Sequence, residues 1–227
     1  MTLLEAIDAR HSVRVYRNDP LPEEIIFQLN AKIDECNREG GLHIQLITEE
    51  PKAFSGILSY GVFKGVRNYL VMVGKKSEGL GERIGYYGEQ LVLFAKTLGL
   101  DSCWVGLTYR KTDSFVIAKG EKLACVIALG YGDQQPVSHK SKTAEEVSDI
   151  SDLTPKWYLK GVEAALKAPT AINQQHFSFS FLGKKDGVNR IKAKRSFSMV
   201  GYTDIDLGIA KYHFELGAGR ENFEWAE

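Results

Sequence analysis

Apolar residues recur along this chain at the 3.6-residue spacing of amphipathic helices, in several separate stretches. The first stretch opens with Thr2-Leu3-Leu4-Glu5, a capping-box sequence whose hydroxyl and carboxylate bind the free amides of a helix start. Gly99 follows the longest stretch and is suited to close it, because glycine adopts left-handed backbone angles without strain. The pattern predicts helices at residues 2–10, 22–36, 80–98, 157–167 and 204–216.

Shorter apolar runs predict strands between these helices. Residues 42–48 and 177–181 alternate apolar and polar positions, whereas residues 68–73 and 123–131 are continuous apolar runs. Asp186-Gly187 predicts a hairpin turn. We expect extended chain at residues 11–20 and a surface loop over a ligand at residues 54–65. Residues 99–106 are expected to form a loop that carries Trp104, and residues 132–155 a linker or wrapping arm.

The order of the predicted elements occurs twice. Helix, turn and strand at residues 33–47 resemble those at 162–181, and the helix, Leu-Gly and Trp of residues 88–106 resemble residues 208–225. A duplication predicts two pseudo-symmetric halves, residues 1–150 and 151–227, within a single domain of residues 1–227. Chains without any duplication also produce matches this loose, so one undivided fold is the alternative.

Composition excludes several classes of function. The 227 residues include 29 basic and 29 acidic side chains, and this balance argues against a general binder of nucleic acids. The alternating cations Arg190, Lys192 and Lys194 are more typical of a solvated sheet edge. The cysteines lack metal-ligand spacing, and no apolar run approaches the ~20 residues of a membrane helix. We expect no metal and no membrane span, and a start without a secretory signal predicts a cytoplasmic location.

The first candidate for chemistry is Arg10-His11-Ser12-Val13-Arg14, at the end of the first predicted helix. Two guanidinium groups with a hydroxyl between them present forked donors suited to phosphate oxygens and a polyol. Taken alone, these five residues are more typical of a solvated helix terminus with ordinary surface arginines.

Three further segments carry side chains of the kind that surround a flat heterocycle. Residues 168–177 form a turn after a helix, whose hydroxyl and amide groups both donate and accept hydrogen bonds. Residues 99–106 combine glycines with Trp104, and residues 139–142 place Lys140 and Lys142 after a buried strand. Each segment alone is more typical of ordinary structure, such as a polar helix cap, a buried turn or a solvated loop.

Together the four segments resemble the nitroreductase family of FMN-dependent oxidoreductases. That family opens with Arg-[Arg/His]-Ser-x-[Arg/Lys], has a Pro-Ser-x-x-Asn-x-Gln-Pro-Trp turn, and follows its long helix with Gly-Leu-Gly-x-x-Trp-x-Gly. It often places a basic pair after a strand ending in Leu-Gly-Tyr. The matching residues are Arg10, His11, Ser12, Arg14, Pro169, Thr170, Asn173, Gln175, Gly99, Leu100, Trp104, Gly106, Lys140 and Lys142. His176 and Phe177 stand where Pro and Trp are usual.

The resemblance implies an α+β, nitroreductase-like fold with a central, mainly antiparallel sheet flanked by helices, and FMN as cofactor. It implies that the phosphate and ribityl chain are held by Arg10, Ser12, Lys140 and Lys142. Arg14 is then expected to face the pyrimidine side of the flavin ring, and Asn173 and Gln175 to bind the ring edge. Trp104 and Gly106 are expected to line the flavin. His11, Val105, Pro169 and Thr170 complete the expected cofactor contacts. No catalytic proton donor is predicted.

In one respect the chain departs from the family. The Asn-x-Gln turn usually follows the first motif closely, but here it lies near residue 170. Ordinary members build each flavin site from both subunits of a homodimer. If the two halves of this chain mimic that dimer, it binds one FMN, with phosphate and ribityl contacts from the first half and ring-edge contacts from the second. Both a monomer and a homodimer are compatible with this arrangement.

The implied reaction is a ping-pong transfer of hydride from NAD(P)H to a small acceptor, such as a nitroarene, a quinone or an activated alkene. Two alternatives accompany it. One keeps the flavin and the fold but reduces a different acceptor, since a fold does not determine a function. The other is a non-catalytic flavin-binding or sensing module, in which the altered residues 174–177 prevent nicotinamide access.

Overall fold

The computed structural model describes residues 1–56, 59, 61–137, 140–151 and 153–226. These ranges contain the helices α1 (Leu3–Ala9), α2 (Glu23–Gly40), α3 (Leu80–Thr97), α4 (Ala144–Val147), α5 (Lys156–Ala165) and α6 (Thr203–Ala218). They also contain the strands β1 (Gln45–Ile47), β2 (Asn68–Lys75), β3 (Asp101–Val105), β4 (Glu121–Gly130), β5 (Phe177–Lys185), β6 (Val188–Arg195) and β7 (Glu224–Trp225). Single 3₁₀ turns occupy Lys52–Phe54, Ala171–Asn173 and Arg220–Asn222.

The predicted helices are confirmed, and one of the predicted loops is wrong. The capping box forms between Thr2 and Glu5, and Gly99 follows α3 with a φ of 82°. Residues 101–105 of the predicted loop form strand β3, because Cys103, Trp104 and Val105 favour an extended backbone and β4 offers them a partner. Helix α4 and strand β7 are additional elements that the sequence pattern did not indicate.

A four-stranded antiparallel sheet lies at the centre of the fold, in the order β1-β2-β4-β3. A smaller sheet has the order β5-β6-β7, with the β5–β6 hairpin antiparallel and β6–β7 parallel. The predicted hairpin turn is confirmed: Asp186 and Gly187 both have positive φ, at 53° and 84°, as a two-residue turn of this kind requires. The α+β class and the mainly antiparallel sheet are therefore as expected.

Helices α3 and α6 pack face to face and join the two sheets into one hydrophobic core. Two glycines permit their close approach: a Cβ atom on Gly85 would lie 2.0 Å from the Ile205 carbonyl oxygen, and one on Gly208 would lie 2.0 Å from that of Glu82. Residues from both predicted halves contribute to this core. The division into pseudo-symmetric halves stays a prediction.

None of the described helices is both long and apolar enough to cross a membrane. Within the described residues, no group of three or more metal-ligating side chains is present. The end of α1, strand β3, the turn after α5 and the start of α6 meet at one surface.

Candidate active site

The first predicted motif runs in extended conformation along the free edge of β3. Ser12 forms a parallel bridge with Ser102, and the Val13 amide donates to the Ser102 carbonyl at 3.1 Å. Because extended chain alternates its side chains, Val13 is buried while Ser12 and Arg14 point to the other side. Both of these residues line a cavity.

The second predicted motif is the turn of residues 169–175, which is fixed at its far end by Gln175. The Gln175 amide donates to Thr170 Oγ1 at 3.0 Å, and its side-chain Nε2 donates to the Leu166 carbonyl at 2.9 Å. Lys142 donates from its backbone amide to Gln175 Oε1 and from Nζ to the Gln175 carbonyl, at 2.8 and 2.7 Å. Gln175 and Lys142 therefore stabilise the turn through hydrogen bonds to each other and to Leu166.

The backbone of this turn is strained. Ile172, Asn173 and Gln175 have left-handed φ values of 48°, 57° and 45°, which are uncommon for any residue but glycine and genuine outliers for a β-branched one. Asp206 of α6 helps to hold them, since its Oδ1 accepts from the Ala171 amide at 3.0 Å and its Oδ2 accepts from Gln174 Nε2 at 2.7 Å. Strain of this kind clusters at functional sites, where the surrounding structure enforces it.

Two adjoining cavities separate the two motifs. We name the cavity of about 560 Å³ beside α1 the basic cavity. The cavity of about 300 Å³ between β3 and α6 is named the apolar cavity. Both are lined by the same five residues at their junction, namely Ser12, Arg14, Pro169, Thr170 and Ile172. Two stretches more than 150 positions apart in the chain thus meet around one continuous space.

The basic cavity contains two buried side-chain nitrogens that have no hydrogen-bond partner in the described part of the chain. Arg10 Nε and His11 Nδ1 are both buried and have no hydrogen-bond partner there. The other ring nitrogen of His11, Nε2, lies 3.1 Å from the Gln134 carbonyl and donates to it. A second cation of this cavity, Lys167, is already paired with Asp8. Since unpaired buried polar groups are costly, the Nε–H of Arg10 indicates that an acceptor such as a phosphate group belongs in this cavity.

The apolar cavity has aromatic walls, and Tyr202 forms one of them. Its hydroxyl donates to the Gly106 carbonyl at 3.0 Å, and its ring packs on the backbone at that position. A Cβ atom at residue 106 would lie 2.6 Å from Tyr202 Cζ, so this contact requires glycine. Tyr202 itself has a left-handed φ of 62° immediately before α6. Cavities of this type bind flat apolar ligands.

Trp104 forms part of the same wall and is oriented by a buried network behind it. Its indole Nε1 donates to Glu89 Oε2 at 2.9 Å, and the other carboxylate oxygen of Glu89 lies 2.9 Å from His213 Nε2. His213 Nδ1 in turn donates to the Ala164 carbonyl at 3.1 Å. Glu89 and His213 are fully buried, so the network fixes the indole plane without access to solvent.

Asp206 is the acidic residue of the apolar cavity, and it is 2% exposed. Burial raises the pKa of its carboxyl group to about 6, against the opposing effect of the hydrogen bonds from Gln174 and Ala171. Asp206 and Tyr202 were not predicted from the sequence as site residues. A usable signal was present, because Asp206 follows Ile205 and precedes Ile209 by one helical turn, which places a carboxyl group on an apolar helix face.

Most of the predicted site residues line one or both cavities. These are Arg10, His11, Ser12, Arg14, Trp104, Val105, Gly106, Pro169, Thr170 and Asn173. Gln175, Lys140 and Lys142 line neither: Gln175 is buried behind the turn, Lys142 is bonded to it, and the Lys140 carbonyl accepts from Asn173 Nδ2 at 2.8 Å. These three residues hold the turn through their hydrogen bonds, and their contacts with a cofactor stay a prediction.

Two predicted segments fall partly outside the described residues. Ser138 and His139, next to the predicted lysine pair, are among the residues that the structure does not describe, as are Ile57, Leu58 and Tyr60 of the predicted loop over a ligand. The described residues of that loop line neither cavity. Phe54 instead packs against Phe63 and Tyr69, at ring-centroid distances of 5.2 and 5.6 Å.

Solved structures with the same fold come from several bacteria. A "putative nitroreductase" from Thermotoga maritima MSB8 superposes with a TM-score of 0.63 at 23% identity, covering 97% of this chain and 85% of that one. A "putative nitroreductase in complex with FMN" from Desulfovibrio desulfuricans gives a TM-score of 0.54 at 17% identity, covering 68% and 99%. A "putative NAD(P)H:FMN oxidoreductase" from Staphylococcus epidermidis gives 0.50 at 15% identity, covering 66% and 96%. These likenesses establish the fold.

Family membership follows from the sequence itself. A search of curated proteins found no match to this chain. A family model described as "Putative TM nitroreductase" matches residues 2–218. Because that model spans nearly the whole chain and the fold agrees with it, the protein belongs to this nitroreductase family.

Proposed function

We propose that the protein is an FMN-dependent oxidoreductase that passes hydride from NAD(P)H to a small acceptor in a ping-pong cycle. The observation that carries this proposal is the pair of adjoining cavities, one with the unpaired buried Nε–H of the Arg10 guanidinium and one with aromatic walls. FMN has the same division, since a phosphorylated polyol is joined to a flat ring. Two solved structures of the same fold support it, the "putative nitroreductase in complex with FMN" and the "putative NAD(P)H:FMN oxidoreductase".

The residues of the basic cavity suit the polar half of FMN. Arg10 would hold the phosphate, because its unpaired Nε–H needs an acceptor and a guanidinium pairs well with phosphate oxygens, and His11 lines the cavity next to it. Ser12 and Asn173 line the same cavity and offer a hydroxyl and an amide for the ribityl chain. Arg14 lines both cavities and would place a fixed positive charge near the ring.

The apolar cavity suits the ring and an acceptor. Trp104, Val105 and Gly106 line it from β3 and its end, and Tyr202 lines it from the start of α6. When bound there, FMN would supply the hydride chemistry. The mouth carries three exposed apolar side chains, with Leu107 75%, Ile172 79% and Val200 44% exposed. Such a mouth favours flat, weakly polar acceptors, in agreement with a nitroarene, a quinone or an activated alkene.

Titration of the apoprotein with FMN tests the cofactor assignment. The purified protein should show the visible absorbance of oxidised flavin, and Arg10→Ala should weaken FMN binding by about 1.5 to 3 kcal/mol, or about tenfold to one hundredfold. Arg17→Ala is the matched control, because Arg17 lies in the same segment but is exposed and paired with Asp19. Equal loss of affinity in both variants would contradict the assignment of the basic cavity.

Anaerobic addition of NADH or NADPH tests the enzymatic assignment. Rapid bleaching of the bound flavin, followed by recovery on addition of a quinone or nitroarene, is the expected result. A flavin that stays oxidised with both nucleotides would instead support the non-catalytic flavin-binding module.

A further inference from the structure

Asp206 occupies a position in the apolar cavity that cofactor binding alone does not require. The residue lies in the first turns of α6 and lines the cavity together with Ile205 and Ile209. Burial removes its carboxyl group almost completely from water, and no cation pairs with it among the described residues. A buried carboxyl group without a cationic partner is costly when ionised and is readily kept protonated.

The hydrogen bonds of Asp206 leave its proton free for a reaction in the cavity. Each oxygen accepts one bond, Oδ1 from the Ala171 amide and Oδ2 from Gln174 Nε2. A carboxyl group has about four lone-pair directions, so a proton can be carried while both of these bonds are kept. The group is therefore fixed in place in either protonation state.

The other titratable groups on the cavity wall do not change charge near neutral pH. Burial raises the pKa of the Cys103 and Cys125 thiols and of the Tyr202 hydroxyl, so these groups stay protonated. Arg14 is a guanidinium and stays charged. Burial brings the pKa of Asp206 to about 6, which leaves it as the wall group able to lose and regain a proton under working conditions.

We propose that Asp206 is the proton donor for the acceptor that is reduced in this cavity. The inference rests on the proposed function, in which hydride arrives at one atom of the acceptor with its electron pair. A second atom of the acceptor takes the proton from the Asp206 carboxyl group, and the electron pair of the broken O–H bond stays on the carboxylate. The acceptor has then gained two electrons and two hydrogens, and Asp206 regains its proton from solvent.

Stopped-flow mixing of the photochemically reduced flavoprotein with two acceptors tests this assignment. Menadione needs protons for its reduction, whereas ferricyanide takes single electrons and needs none. In Asp206→Asn the ratio of the menadione rate to the ferricyanide rate should fall by about one hundredfold. Asp204→Asn is the matched control, since Asp204 lies on the same helix but is exposed and paired with Arg195, and its ratio should equal that of the wild type.

A second variant separates proton donation from a merely structural role. Gln174→Ala removes a hydrogen bond that lowers the pKa of Asp206, so the pH profile of the menadione reaction should move to higher pH. In the apoprotein, the infrared C=O band of a protonated carboxyl group should titrate with a midpoint near pH 6 and should be missing from Asp206→Asn.

The outcomes separate this inference from the proposed function. A flavoprotein whose rate ratio is unchanged in Asp206→Asn, or whose pH profile is unmoved in Gln174→Ala, overturns the role of Asp206 alone. An apoprotein that lacks the infrared C=O band of a protonated carboxyl group also overturns the role of Asp206. A purified protein that binds no FMN overturns the proposed function, and the inference with it.

Discussion

Two tryptophans of this protein make the same local contact in different surroundings. Trp104 in β3 donates its indole N–H to Glu89 of α3 at 2.9 Å, and Trp225 in β7 donates to Glu215 of α6 at 2.6 Å. Each tryptophan therefore bonds to the long helix that precedes it in the chain. The cavity beside Trp104 is apolar, whereas the one beside Trp225, of about 410 Å³, is lined mainly by charged and aromatic side chains.

The charges around Trp225 are matched to one another. Lys211 Nζ lies 4.8 Å from the centroid of the Trp225 ring and 2.6 Å from Glu82. Arg220 is paired with Glu215, which also accepts from the Tyr86 hydroxyl at 2.5 Å. By contrast, Arg10 and His11 keep buried nitrogens without a partner in the described chain. Of these two cavities, only the one beside α1 keeps a buried cationic nitrogen, Arg10 Nε, without a partner among the described residues.

This contrast supports the prediction of one FMN per chain. The two Trp–Glu pairs are also consistent with two pseudo-symmetric halves, because they occupy corresponding places after α3 and α6. The second half lacks an Arg-His-Ser motif, and among the described residues its cavity has no buried side-chain nitrogen without a hydrogen-bond partner. The duplication itself stays a prediction.

The largest difference between the two surroundings should appear in stability. Glu89→Ala should lower the free energy of unfolding by about 3 to 5 kcal/mol, because it leaves buried His213 without its carboxylate. Glu215→Ala should cost about 1 to 2 kcal/mol, because Arg220 is 64% exposed and is solvated once its partner is gone. Urea unfolding of the two variants measures both values. Equal losses would show that the networks are equally buried in solution.

A smaller effect should appear in the pH dependence of the apoprotein. The pKa of Asp206 is about 6 in the folded chain against 3.8 for the free side chain, so between these values the folded state keeps a proton that the unfolded state has released. The free energy of unfolding should therefore fall by about 3 kcal/mol as the pH rises through this window, relative to Asp206→Asn. A difference between the two proteins that is flat from pH 4 to pH 7 would refute the buried acid.

The smallest effect is expected from opening the second cavity. Lys211→Ala removes one cation–π contact and one partly exposed ion pair, which together contribute about 1 kcal/mol. Because no phosphate-binding donors are created, the variant should bind one FMN per chain, the same ratio that we expect for the wild type. Flavin absorbance against protein concentration gives this ratio. A second bound FMN in either protein would contradict the prediction that only one of the two cavities binds FMN.

Much of the candidate site was predictable because its motifs are local in sequence. Arg10, Ser12 and Arg14 lie on one extended segment, and Pro169 and Thr170 on one turn, so their spacing could be interpreted without knowledge of the fold. The sequence did not indicate that Lys142 and Gln175 bond to each other. Their polar groups are used by each other and by Leu166, and no linear pattern shows which of several neighbours a flexible polar side chain will bond.

The sequence by itself determined the helices, the hairpin and the class of the fold, since these depend on apolar periodicity and on turn residues within short windows. Only the tertiary structure decided that β3 is a strand, because an edge strand exists through its partner β4. It also decided the role of the apolar cavity wall. Asp206 becomes unusual only when α6 packs beneath the 169–175 turn and removes its carboxyl group from water, and burial is a property of the assembled chain.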